Sequence, residues 1–207
     1  MRYHDVEQRS DRWYALRCGS VGASEIASLM AKTKSGYSSS RSNLMARVIC
    51  ERLTGKSEPM FVTAAMQDGI DTEPQSIAHY EFVTNTTVIP SGLFQHPTID
   101  GTHATPDGLI GEDGLIESKS PKTSTHIGTL ISQTIPNKYL LQMQWQMACT
   151  GRQWCDFVSY DPRMPPNLQM WVKRVERDDK LIAEVEAEVV KFLKEVNDKL
   201  AQLEAIK

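Results

Sequence analysis

Apolar residues recur along the chain with two different periods, and the change of period divides it into elements. Between Asp5 and Leu29 the residues are mostly polar, with Trp13, Tyr14 and Leu16 interleaved, before Ile26, Leu29 and Met30 recur at helical spacing. Ser24 stands just ahead of that stripe and reads as a helix N-cap. Residues 33–43 are rich in small polar residues and read as a loop before a helix at about Asn43–Leu53, which Gly55 ends. Residues 62–83 have helical spacing, but Pro74 fits a first turn and breaks an interior one, so two helical pieces are predicted. The period then shortens. Thr86–Ile89, Gly92–Phe94 and Gly114–Lys119 read as short strands, the last ended by Pro121. A helix over Asn137–Thr150 stops at Gly151, and strands follow at Trp154–Tyr160 and Leu168–Val175. From Asp178 to about Ala205, Ile182, Val185, Val189, Phe192, Val196, Leu200 and Leu203 form the stripe of a long helix that packs on its own domain. Helices, then strands interrupted by one helix, then a terminal helix predict a single mixed α/β domain over residues 1–207.

Composition narrows the class. The 207 residues, 40% of them hydrophobic, can bury one sizeable core. No apolar run approaches the roughly 20 residues of a membrane helix. Met1-Arg2-Tyr3-His4-Asp5 lacks the apolar core of a signal peptide, so a cytoplasmic protein without membrane attachment is expected. Cys18, Cys50, Cys149 and Cys155 form no CxxC pair and no zinc-like cluster, which predicts reduced thiols.

A net charge of −3 conceals a segregation. Residues 1–60 carry +4, residues 61–117 carry nine acidic groups and no Lys or Arg, residues 118–174 carry +5 and residues 175–207 carry −3. A cation-free acidic middle between basic flanks fits a carboxylate metal site within a polyanion-binding surface. It also fits a solvated acidic face paired with its neighbours in space.

Within that middle, Pro106-Asp107-Gly108 lies beside a predicted strand and Glu117-Ser118-Lys119 within the next one. Alternate residues of a strand leave the same face roughly 6.6 Å apart, so Glu117 and Lys119 point together and Ser118 points away. With Asp107 alongside, two carboxylates and an ammonium share a pocket whose oxygen donors suit Mg²⁺. Such a metal activates water and offsets charge on a phosphate, while Lys119 orients the nucleophile or assists proton transfer, favouring mildly alkaline pH. The plain alternative is a Glu/Lys pair facing solvent. Glu73, in the same segment, is a further candidate ligand or simply a first-turn carboxylate. On the 137–150 helix, Tyr139, Gln142 and Gln146 share one face and Leu140, Met143 and Met147 the core-facing one. Arg17, just ahead of Ser24 and a helix start, suits a terminal phosphate; a surface ion pair and a cap are the alternatives.

These residues fall in blocks that run in order over nearly the whole chain. The blocks are Trp13 to Gly19, Ala23-Ser24-Glu25, Gly69 to Glu73, Thr105-Pro106-Asp107-Gly108, Gly114 to Pro121, Tyr139 to Gln144 and Tyr160 to Met164. In them the chain resembles the phage lambda exonuclease family, the YqaJ-type viral recombinases of the PD-(D/E)xK nuclease superfamily. The resemblance implies a single-domain restriction-endonuclease-like fold, a central mixed β-sheet flanked by helices. It implies a Mg²⁺-dependent enzyme, with Mn²⁺ as a substitute, that degrades one strand of linear duplex DNA from a 5′-phosphorylated end to mononucleotides. By similarity Asp107, Glu117, Ser118 and Glu73 surround the metal, Gln142 supports the water position and Lys119 acts beside the nucleophilic water. Arg17 and Ser24 would hold the 5′-phosphate. A ring-shaped homotrimer, a single-strand annealing protein as partner, and a phage or prophage setting in a bacterial host are implied as well. Two departures stand out: Lys122-Thr123-Ser124-Thr125-His126 lacks an arginine the family often carries, and Pro74 directly follows Glu73. Two other readings of the same residues are a structure-specific or restriction-type endonuclease and a non-catalytic DNA-binding scaffold.

Overall fold

The protein is described from a computed structural model, over residues 2–57 and 62–206. Strand β1 (Arg2–His4) leads through α1 (Asp11–Arg17) to β2 (Val21–Gly22), a 3₁₀ turn over Ala23–Glu25 and α2 (Ile26–Met30). The hairpin β3 (Lys32–Thr33) and β4 (Gly36–Tyr37) precedes α3 (Ser39–Thr54) and α4 (Ala64–Thr84). Then come β5 (Val88–Ile89), β6 (Leu93–Gln95), β7 (Thr102–Ala104), β8 (Gly108–Ile110) and β9 (Gly114–Lys119). Helices α5 (Thr123–Ser132) and α6 (Asn137–Thr150) return the chain to β10 (Trp154–Tyr160), β11 (Met170–Glu176) and α7 (Asp179–Glu204).

Five strands form a mixed sheet in the order β11-β10-β9-β8-β5, in which only β9 and β10 run parallel. Parallel neighbours need a long crossover, and α5 with α6 supplies it. A second sheet has the order β1-β6-β7-β2.

Strand alternation sorts β9 between two layers. Leu115 packs with Met143, Met147, Cys155 and Phe157 on the α6 side, while Ile116 packs with Tyr80, Val158 and Tyr160 on the α4 side. Glu117 and Lys119 follow Leu115 toward α6, and Ser118 follows Ile116 toward α4, where its hydroxyl meets that of Ser76 at 2.7 Å. A third apolar cluster joins α2, α3, α6 and α7 through Ile26, Leu29, Val48, Trp145, Val189 and Phe192. The α7 stripe is buried from Ile182 to Val196, whereas Leu203 stays exposed. Among the described residues no helix is long and apolar enough to cross a membrane, and all four cysteines are free.

Several local expectations are corrected. Ser24 is not an N-cap: it lies inside the 3₁₀ turn, whose cap is Gly22, and the Glu25 carboxylate accepts from the Gly22 N–H at 2.9 Å. Residues 33–43 hold a hairpin and the first turn of α3 rather than a loop, since Tyr37 is tied to Glu188 of α7 at 2.6 Å. Helix α4 is continuous through Pro74. Ser76, Ile77 and Tyr80 on the far side of the proline are packed against the sheet, and that anchorage outweighs one missing backbone bond. Two helices, not one, interrupt the strands, because α5 is held by buried His126 bonded to Ser159 and to the Leu168 carbonyl, each at 2.8 Å.

Candidate active site

The α6 face of β9 carries the site. Glu117 is fully buried, and both its oxygens are held from α6: Gln142 Nε2 donates to Oε1 at 2.7 Å and Gln146 Nε2 to Oε2 at 2.5 Å. Residues four apart on a helix lie one above the other, so the pair grips one carboxylate like two adjacent fingers. Lys119, two residues on and on the same face, pairs with Glu117 Oε1, lies 4.0 Å from Asp107 Oδ2, and sits 5.7 Å from the centre of the Tyr139 ring. Asp107 precedes β8, which pairs antiparallel with β9, and its Oδ2 accepts the Ser118 backbone N–H at 2.7 Å.

The electrostatics follow from this crowding. Burial, then the charge of Glu117 and that of Glu73, push the Asp107 carboxyl well above its usual range, against the pull of Lys119. Burial alone would lower Lys119, yet Glu117 and Asp107 overcome it and raise its pKa. Lys119 is therefore held as an ammonium in this arrangement.

Asp107 and Glu117 share one ammonium, and the negative charge of Glu73 acts on Asp107 from nearby. Among the described residues no three His, Cys, Asp or Glu side chains form a ready metal cage. Mg²⁺ uses one or two carboxylates, substrate phosphates and water rather than an all-protein cage, so Asp107 and Glu117 fit it as donors. Glu73 lies with Asp107 in the wall of a cleft of about 690 Å³ between the Asp5–Arg9 segment and α4, and it is paired with Arg9 at 3.4 Å. Ser118 enters through its backbone, because its hydroxyl points to Ser76 on the opposite face.

The two candidate phosphate ligands are placed separately. Arg17 lies over the Trp13 ring, 4.0 Å from its centre, and Trp13 Nε1 donates to Thr105 Oγ1 at 3.2 Å, two residues before Asp107. Burial lowers the Arg17 pKa, although Glu25 opposes this, and among the described residues Arg17 forms no ion pair. Ser24 is exposed, and no hydrogen bond joins it to Arg17. Where an arginine was expected, Lys122 is exposed ahead of α5 and His126 is buried.

Comparison with known proteins places this geometry. The profile of the YqaJ-like viral recombinase domain matches residues 12–153. The chain belongs to that family. Among solved structures it is similar to an alkaline exonuclease, LHK-Exo, from Laribacter hongkongensis. The two are 49% identical, with a TM-score of 0.88 over 94% of this chain and 96% of that one. The complex of LHK-Exo with dAMP matches to the same extent. A phage-related exonuclease from Haemophilus somnus 129PT, 13% identical, has the same fold with a TM-score of 0.73 over 89% of this chain and 96% of that one. No protein with a curated description matches. The fold is thus the nuclease fold of the PD-(D/E)xK type that the ordered blocks anticipate.

Two residues beside this site carry weak sequence signals. Gln146 shares the Gln142 face, and only its spacing of four from Gln142 points to a shared partner. Arg9 has φ +70, and no pattern of polar and apolar positions reveals a left-handed residue.

Proposed function

We propose that the chain is a Mg²⁺-dependent exonuclease that degrades one strand of linear duplex DNA from a 5′-phosphorylated end, releasing mononucleotides and leaving 3′ overhangs. One observation carries the reading: a buried glutamate clamped by two glutamines beside a lysine and an aspartate, in a chain 49% identical to an alkaline exonuclease. Asp107 and Glu117, with Glu73 nearby, would hold the metal. When bound, Mg²⁺ supplies a Lewis acid and a more acidic water.

The protein's own groups do the rest. Gln142 and Gln146 donate to Glu117 and keep both its oxygens in a fixed plane, so the carboxylate needs no reorganisation when the phosphate arrives. Lys119 remains an ammonium and offers N–H donors to a phosphate oxygen or to the attacking water. Arg17, stacked on Trp13, and the exposed Ser24 hydroxyl would receive the terminal phosphate. Trp13 links that anchor to the strand end that bears Asp107. A homotrimeric assembly, a single-strand annealing partner and work inside a bacterial host belong to the same proposal and rest on family membership.

The test is a duplex labelled at the 5′ end of one strand and internally in both, incubated with Mg²⁺ or EDTA. Early release of labelled mononucleotide from the 5′ end in Mg²⁺ alone supports the reading. Release from the 3′ end first, or equal release in EDTA, overturns its polarity or its metal dependence.

A further inference from the structure

From Ser118 to Cys155 the sequence holds no Asp or Glu, and its charged side chains are Lys119, Lys122, Lys138 and Arg152. This stretch builds α5, α6 and the turn between them, so the surface that they present carries charge of one sign. Strand β11 closes one side of it. Lys173 of β11 is in register with Phe157 of β10, and Phe157 with Glu117 of β9, so alternation turns Trp171, Lys173 and Val175 to the sheet face that carries the site. Trp171 and Val175 pack there beside Phe157 and Tyr139.

Gln133, the left-handed residue that ends α5, ties the turn to this strand. Its side-chain oxygen accepts the Trp171 indole N–H at 2.8 Å, and its backbone carbonyl accepts from the Lys173 ammonium at 3.2 Å. Lys138 stands over the Tyr139 ring, 4.6 Å from its centre, and the same ring lies 5.7 Å from Lys119. Lys138 and Lys173 are both exposed, and among the described residues neither is paired with a carboxylate. Neutral partners leave their full charge to attract an anion. Trp171 is half-buried and meets Phe157 at 6.2 Å and 69°, so those two rings do not stack face to face.

We infer that this patch binds single-stranded DNA, with Trp171 as a stacking platform and Lys138 and Lys173 as phosphate contacts, and that its occupant is the strand the exonuclease leaves uncut. Cations without carboxylates select a polyanion. The aromatic group selects an unpaired strand, because a duplex hides the faces of its bases and a single strand offers them for stacking. Tyr139 joins the patch to the catalytic lysine, so a strand parted from its partner at Lys119 has the patch beside it. The inference deepens the exonuclease reading and rests on it.

The experiment is a fluorescence-anisotropy titration, in EDTA, of a labelled oligothymidine and of a blunt duplex of equal length with the whole protein. The variants are Lys138→Gln combined with Lys173→Gln, Trp171→Ala, and Trp171→Phe. The double lysine variant changes exposed side chains only, so its fold is preserved. It should weaken single-strand binding about tenfold and lower the slope of log affinity against log salt by roughly 1.4, two contacts at about 0.7 each. Trp171→Ala should weaken single-strand binding about tenfold, whereas Trp171→Phe keeps a ring on Phe157 and should retain most of it. Duplex binding should change by less than about twofold in each variant. Single-strand binding and salt slope unchanged in the double lysine variant would overturn the inference. Equal losses on duplex and single strand would overturn it too, by making the patch a general polyanion surface, as would a change in sedimentation with DNA binding unaltered, which would make it a contact between copies. Failure of the exonuclease reading appears separately, as phosphorylated linear duplex left intact by a protein whose single-strand binding still depends on these residues.

Discussion

Lys119 keeps its proton because two carboxylates face it in a buried pocket, and Glu117 keeps its position because two amides hold it. Each depends on the other. Lys119→Ala should lower cleavage by about 10²–10⁴-fold while DNA binding stays within a fewfold, as read by single-turnover cleavage and by gel shift in EDTA. Gln146→Ala strands Oε2 of a carboxylate with no solvent contact, so it should cost about 1–3 kcal/mol of stability in denaturant unfolding as well as activity. Normal stability of that variant would mean that the amide is not the partner of Oε2. Arg17→Ala should slow degradation of 5′-phosphorylated ends by about tenfold or more and leave 5′-hydroxyl ends nearly unchanged, since it removes a charge-assisted contact to the phosphate alone. Equal losses on both ends would make Arg17 a general backbone contact.

At the scale of elements, β9 carries the chemistry because its two faces have different duties. Its first residue shows how closely the strand is fitted. A Cβ on Gly114 would lie 2.2 Å from the indole of Trp154, its register partner on β10, and Arg174 already stacks on that indole at 3.4 Å. Gly114→Ala should therefore destabilise the protein by about 1–3 kcal/mol, visible as a lower Tm; an unchanged Tm would show that the indole has room to shift. The elements legible from the sequence are those long enough to show a period: β9, β10, α6 and α7 match their predicted ranges closely. Strands β1, β2, β7 and β8 have two or three residues each, too few to show alternation; β1 and the β2–β7 pair become strands by pairing with neighbours distant in sequence, and β8 by pairing with β5 and β9. Pro74 misled for a related reason, because propensity is local and the packing of Tyr80 and Ser76 is not. At the site, Asp107, Glu117 and Lys119 were legible through strand spacing and ordered blocks, whereas Gln146 looked like any helical glutamine until its partner was in view.

The whole molecule carries buried titrating groups whose protonation sets its acid stability. His103 is held well below its ordinary 6.5 by burial, and Arg17 and Arg47 add to that effect. His96 is lowered by burial as well, although Glu186 opposes it. For both, the unfolded chain takes up a proton near pH 6.5 that the folded chain refuses. Their contribution is thus complete above that pH, and stability falls as pH drops below it. Asp161 adds a second, lower step. Burial alone would raise it, but hydrogen bonds from Arg163 and Thr123 hold it at about 2, so its contribution stands above the usual carboxylate value and is lost as pH falls toward 2. Thermal unfolding from pH 8 to pH 4 should show Tm declining from about pH 6.5 downward. His103→Gln should flatten the upper part of that decline, and an unaltered slope would mean that His103 is protonated in the folded state.

The Asp107–Glu117–Lys119 pocket is expected to belong to an enzyme that works from DNA ends. The most direct measurement is a time course in Mg²⁺ on one DNA in three forms: linear with 5′-phosphates, linear with 5′-hydroxyls, and covalently closed circular. Rapid loss of the phosphorylated linear form, slower loss of the hydroxyl form and an intact circle are expected. Nicking or linearisation of the circle would contradict this expectation and make the same pocket the centre of an endonuclease.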